Sequence, residues 1–112
     1  MATQGRQTAS QARAAGIVTL LALARRAGAT ETGLDASLRA CRRGRARMLV
    51  VATDLGRSAR GKAEQMAQEC GLEVVQANAT MAEIGQALGL RDVGVVAVCD
   101  PNFAKGILKK LG

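Results

Sequence analysis

The sequence predicts a single-domain α/β/α sandwich. Three observations lead there. Residues 48–52 (MLVVA) and 93–98 (VGVVAV) are nearly continuous apolar runs, stretches with helical spacing of apolar residues lie around them, and Gly or Pro marks most junctions. A strand apolar at every position is one covered on both faces. Strands alternating with helices then describe a sheet between two helical layers. At 112 residues the chain makes one domain with a modest core.

The first helix is expected over about residues 9–27, with Ile17, Leu20, Leu21 and Ala24 as its buried stripe and Gly28 as its C-cap. Its apolar part, GIVTLLALA, has arginines upstream and ends in A-L-A, as a secretory signal does. The first thirty residues also lack acids, as transit peptides do. Arg25 and Arg26 follow at once, however, and the stretch is far too short to span a membrane. A core helix is the preferred reading. Residues 1–13, rich in Gln, Thr, Ser, Ala and Gly, are expected to form a disordered tail, with the folded domain over residues 14–112.

Thr32 then reads as an N-cap, with Asp35 three residues on imitating a capping box. Leu34, Leu38 and Cys41 give the second helix its stripe, Gly44 ends it, and residues 48–52 form the first strand. A third helix is expected over about residues 58–70, closed by Gly71, followed by a strand over residues 72–76. Thr80 and Glu83 form a full capping box for a short fourth helix ending near Gly89. After the strand over residues 93–98, Asp100 and Pro101 start a last helix carrying Phe103, Ile107, Leu108 and Leu111.

Composition narrows the function. The net charge is +7, but residues 25–62 hold ten Lys or Arg against three acids, while residues 63–112 hold four against six. A basic half joined to a nearly neutral one suggests a working face rather than general solubility, with a solvated charged surface as the plain alternative. With no His, imidazole catalysis and imidazole metal sites are excluded. With no Trp or Tyr and Phe103 as the one aromatic, RNA-binding folds that stack bases on aromatic platforms are excluded too. Cys41, Cys70 and Cys99 are odd in number and contain no C-x-x-C pair. They suggest neither a metal cluster nor a disulfide framework. Small buried hydrophobes in a reducing cytoplasm are expected, and no metal or cofactor is implied.

One motif misleads. Gly56–Lys62 (GRSARGK) matches the G-x-x-x-x-G-K phosphate loop of nucleotide hydrolases, but Ala63 stands where a Ser or Thr hydroxyl would hold Mg²⁺. Gly56 is therefore read as a turn residue, with Arg57, Arg60 and Lys62 on an exposed helical face. The segment TGLDASLRACRRGRAR, residues 32–47, is the stronger signal. It places five arginines (Arg39, Arg42, Arg43, Arg45, Arg47) within nine residues. Gly33 lets backbone approach a ligand closely, and the helix it opens presents free amides and a positive dipole end. Arg39 and Arg43 lie one turn apart on one face, suited to bidentate phosphate contacts. A charged helix flank is the plain alternative.

The order of elements, with LLALARRAG, TGLDASLRACRRG, ARMLVVATD, IGQALGLRDVGVVAVCD and NFAKGIL, resembles the kink-turn-binding ribosomal protein family that includes L-seven-Ae and L-thirty-e, and most of all its small bacterial YlxQ-like branch. The resemblance covers residues 14–111 and implies an α/β/α sandwich with a small mixed sheet. In that family a G-x-N-E-x-T-K signature opens the second helix and reads the sheared G·A pairs of a kink-turn. It implies that Gly33 is the family glycine, Arg39 its lysine, and Arg43 the basic residue before the helix-ending Gly44. Asp35 replaces the Asn, Ala36 the Glu, and Leu38 the Thr. Ala36 cannot accept a hydrogen bond from guanine, so the resemblance implies backbone grip more than sequence-specific readout. The family's second contact region, the loop before the last strand, corresponds to Leu90, Arg91 and Val93, for which Leu90 and Val93 have core packing as the plain alternative. The loop over residues 53–57 lies on the same side in the family.

These readings converge on a non-catalytic RNA-binding protein, ribosome-associated, cytoplasmic and monomeric when free, docking on kink-turn or ribosomal RNA, with ribosomal proteins as further partners. Arg26, Arg39, Arg42, Arg43 and Arg45, with Arg91, are expected to contact phosphates, so binding is expected to fall steeply with salt. The alternative is a protein-interaction module on the same fold with reduced RNA specificity.

Overall fold

A computed structural model describes the backbone of residues 9–111 and the side chains from residue 15. The order is α1 (Ala9–Arg26), β1 (Thr30–Thr32), α2 (Leu34–Arg42), β2 (Met48–Val51), α3 (Arg57–Cys70), β3 (Val74–Gln76), α4 (Met81–Leu88), β4 (Val95–Val98) and α5 (Pro101–Leu111). The tail expected over residues 1–13 falls, for residues 1–8, outside the described part.

The four strands form one mixed sheet in the order β1-β4-β2-β3. β4 runs antiparallel to both β1 and β2, and β2 runs parallel to β3. Because side chains alternate along a strand, each apolar run feeds two cores. Met48, Val50, Val96 and Val98 meet Ile17 and Leu21 of α1, Ile84 and Leu88 of α4, and Ile107 of α5. Leu49, Val51, Val95 and Ala97 meet Ala40 and Cys41 of α2 and Ala63 and Ala67 of α3. The expected sandwich is the observed one, with three helices on one face and two on the other. Ile107 is fully buried, and truncating such a residue to Ala typically costs about 2–5 kcal/mol.

Most junctions follow local chemistry. Gly71 closes α3 in the left-handed conformation. The Thr80 hydroxyl accepts from Glu83 N–H at 3.1 Å while Thr80 N–H donates to the Glu83 carboxylate at 2.8 Å. Asp100 caps α5 by accepting from the N–H groups of Asn102 and Phe103.

Several expectations need correction. Thr32 is not an N-cap: it pairs with Val96 in β1, a strand the sequence did not announce. Gly33 caps α2 instead, without a side-chain bond. The third strand starts at Val74 because Leu72 N–H turns back to close α3 on Ala67 O. β4 starts at Val95 because Val93 N–H is taken by Met81 O. Cys41 is buried and Cys99 half-buried, but Cys70 is exposed, since α3 turns Ala63 and Ala67 inward and Cys70 lies at its end. Leu108 and Leu111 are exposed because α5 presents only Phe103, Ala104 and Ile107 to the core.

Candidate nucleic-acid interface

Antiparallel pairing gives the sheet two ends, and α2 connects them. At the first end β1 finishes, β4 begins, and Gly33 N–H donates to Val95 O at 2.8 Å. Gly33 sits at φ 94°, ψ 160°, a conformation open essentially to glycine alone. The loop after β2 closes on the same spot: Ala52 N–H donates to Gly94 O, and Leu55 packs so closely on Gly94 that a Cβ there would meet its Cδ1 at 2.6 Å. Asp54 accepts from Met81 N–H at 2.8 Å and so satisfies the start of α4. The start of α2 and the two loops at residues 53–56 and 89–94 therefore do adjoin.

At the second end, α2 stops at Arg43 and turns at Gly44, which has φ 71°. Arg47 N–H donates to Val98 O at 2.7 Å, and Cys99 N–H to Ala29 O at 2.8 Å. At about 1.5 Å per helical residue, the arginine-rich turn lies roughly 16 Å from Gly33. Proximity in sequence hides this separation.

The arginines also divide around α2. Arg39, Arg43 and Arg45 border one polar recess with Glu31, Ala36 and Ala40, between β1 and α2. Arg45 pairs with Glu31 at 3.3 Å, the single ion pair among the described residues. Arg42 faces the other way, into a groove between α2 and α3 with Asp35, Lys62 and Glu69. Arg26 is exposed at the end of α1, beside Leu88 and Gly89, on the opposite helical layer. Arg42 and Arg26 therefore do not line the recess that holds Arg39 and Arg43.

The remaining positions separate as follows. Asp35 is exposed in the first turn of α2, where its charge suits the helix dipole, and Ala36 lines the arginine recess. Leu38, at the family's Thr position, is buried. Leu90 is 38% exposed and Arg91 exposed, but Val93 is only 5% exposed and packs in the core. Val93 is therefore removed from the contact set: its side chain goes to α4 and the sheet, not to a ligand. Arg60, expected on an open face, is half-buried and donates to Ala52 O at 3.1 Å, holding the end of β2. The G-x-x-x-x-G-K match lies mostly inside α3, and Arg60 N–H already donates to Gly56 O. No amide cradle for phosphate forms there.

Sequence reading missed Glu31, Gly85 and the structural use of Arg25, whose Nε donates to Leu88 O at 3.0 Å. Glu31 lies in a three-residue strand, too short for a periodic signal. Gly85 is buried because the returning loop lies on it; a Cβ would collide with the Arg91 backbone carbonyl. Burial pushes the Cys99 thiol above its ordinary pKa, Arg45 and Arg47 partly pull it back, and Glu31 adds to the rise. Among the described residues, no cluster of His, Cys, Asp or Glu suits a metal ion, and no helix is long and apolar enough to cross a membrane.

The fold is shared with solved structures. A Bacillus halodurans protein of unknown function superposes with a TM-score of 0.79 at 22% identity, over 85% of this chain and 95% of that one. The Giardia lamblia 15.5 kD RNA binding protein superposes with a TM-score of 0.72 at 14% identity, over 89% of this chain and 85% of that one. No curated protein shows significant sequence similarity. The family model for the ribosomal protein L7Ae/L30e/S12e/Gadd45 family matches residues 16–108, and the chain belongs to that family.

Proposed function

We propose that this chain is a non-catalytic RNA-binding protein that docks on structured RNA, kink-turn-like or ribosomal, by gripping the phosphate backbone. One observation carries the reading: Arg39, Arg43 and Arg45 border a single recess beside α2. Guanidinium groups present planar forks of donors that match phosphate oxygens. Membership in a family of ribosomal proteins and the fold shared with the Giardia RNA binding protein support the same conclusion. Gly33, with no side chain, allows close approach at the start of α2, and Leu90 and Arg91 border the neighbouring loop.

In this reading the protein is a ribosome-associated member of the YlxQ-like bacterial branch, cytoplasmic and monomeric when free. Affinity comes mainly from charge, because Asp35, Ala36 and the buried Leu38 occupy the positions that read the kink-turn in the family. The test is a titration with a kink-turn RNA and a matched duplex at two salt concentrations. Replacing Arg39 and Arg43 together by Ala weakens binding at least tenfold and lowers the log–log salt slope by between one and two. Unchanged affinity and slope in that double variant would remove the α2 face from the interface.

Asp35 and Ala36 favour a second reading, a protein-interaction module that kept the fold. It requires the purified protein to be free of nucleic acid, with a low 260/280 absorbance ratio, and to bind neither RNA.

A further inference from the structure

We infer that the RNA track does not end with α2 but turns the corner at Gly44 and continues into a groove at the second end of the sheet, with Arg47 as its grip. This rests on the RNA-binding reading above. The groove is wide open to solvent, has a volume of about 390 Å³ and is lined by residues 27–29, Gly44, Arg45, Arg47, Cys99 and Asp100. It lies between the end of α1, the turn after α2 and the end of β4.

Continuity is the first reason. Arg45 borders both the recess holding Arg39 and Arg43 and this groove. A polyanion held at Arg39 and Arg43 therefore meets Arg45 next, and Arg47 beyond it. The second reason is access. Gly28 and Gly44 both have positive φ, and a Cβ on either would find no atom within 4 Å. Bare backbone on both walls leaves room for a sugar–phosphate chain.

Charge is the third reason. Arg47 is exposed and makes no ion pair among the described residues. The one acid in the groove, Asp100, has an oxygen occupied by the amides that start α5. The opposite end is nearer neutrality: Asp35, Asp54 and Asp92 lie there with Arg57, Arg60 and Arg91. A phosphate chain on the α2 face thus finds more unbalanced positive charge toward Gly44 than toward Gly33.

The test titrates wild type, Arg47→Ala, Arg47→Lys and the Arg39→Ala/Arg43→Ala double variant with the kink-turn RNA and the duplex over a salt series. Arg47→Ala is expected to weaken binding about three- to tenfold and to lower the salt slope by nearly one. Arg47→Lys restores the slope, which separates charge from packing, and thermal melting confirms that each variant folds. If wild type binds and the double variant loses affinity while Arg47→Ala matches wild type in affinity and slope, the extended track is wrong and the RNA-binding reading stands. If wild type binds neither RNA, both fall together.

Discussion

At the Gly33 end, backbone groups are tied to one another and to the side chains of Asp54 and Arg60. Gly33 N–H is held by Val95 O, Asp54 by Met81 N–H, and the carbonyl of Ala52 by Arg60. At the Gly44 end, charge is left over: Arg43 and Arg47 are exposed with no ion pair among the described residues, and Arg45 is shared between Glu31 and solvent. The first end is built for shape and the second for electrostatic attraction. The contrast teaches that the residues that place a ligand and those that attract it need not coincide. In the proposed interface they are separated by one short helix.

Two glycines test the contrast most severely. Gly85→Ala drives a methyl group into the Arg91 backbone, so the loop over residues 89–94 must move. A loss of about 3 kcal/mol or more is expected in urea denaturation. Gly44→Ala meets open space and suffers only left-handed backbone strain, about 1–2 kcal/mol. Equal losses would mean that the two ends are not built differently.

A milder change sharpens the recognition side. Asp35→Asn with Ala36→Glu returns the family's readout residues to the start of α2. The pair is expected to raise preference for the kink-turn over the duplex about tenfold, in line with one regained charged hydrogen bond. Affinity for the duplex is expected to change little, because the exchange leaves the net charge of that turn unchanged. A parallel change on both RNAs would show that the restored pair adds no kink-turn readout.

The smallest effect concerns the thiols. Burial raises the pKa of Cys41, with Cys70 and Cys99 adding to it and Arg42 opposing, and burial raises that of Cys99 as well. The folded state therefore keeps these protons longer than the unfolded chain. The associated stability is fully present below the ordinary value of 9.0 and is lost as pH rises through the folded pKa values. Melting temperature should fall between pH 8 and pH 11 by more in wild type than in a Cys41→Ala/Cys99→Ala variant. Equal falls would mean that both thiols are more solvated than their burial implies.

Much of the fold was legible because it depends on local rules. Residues 48–52 and 93–98 announce two-sided strands by being apolar throughout, and Thr80–Glu83 announces a helix start through a pairing three residues apart. β1 was not legible: three residues carry no period, and Thr30–Thr32 becomes a strand only because β4 offers it an edge. The same edge removed Thr32 from the cap. Val93 misled for a related reason, since its place in the core depends on a loop folding back along α4.

The sequence by itself determined the layer order, the two-faced strands, most of the helix ends and the excess of positive charge in one half of the chain. These follow from periodicity, capping and composition, which act over a few residues. Only the tertiary structure decided that Arg39, Arg43 and Arg45 share a recess while Arg42 and Arg26 do not, and that Gly33 and Gly44 mark opposite ends of the sheet. The physical reason is that a helix turns each residue by about 100° and advances about 1.5 Å. Neighbours in sequence are thereby sent to different faces, and antiparallel pairing with β4 sets which end of the molecule each face adjoins.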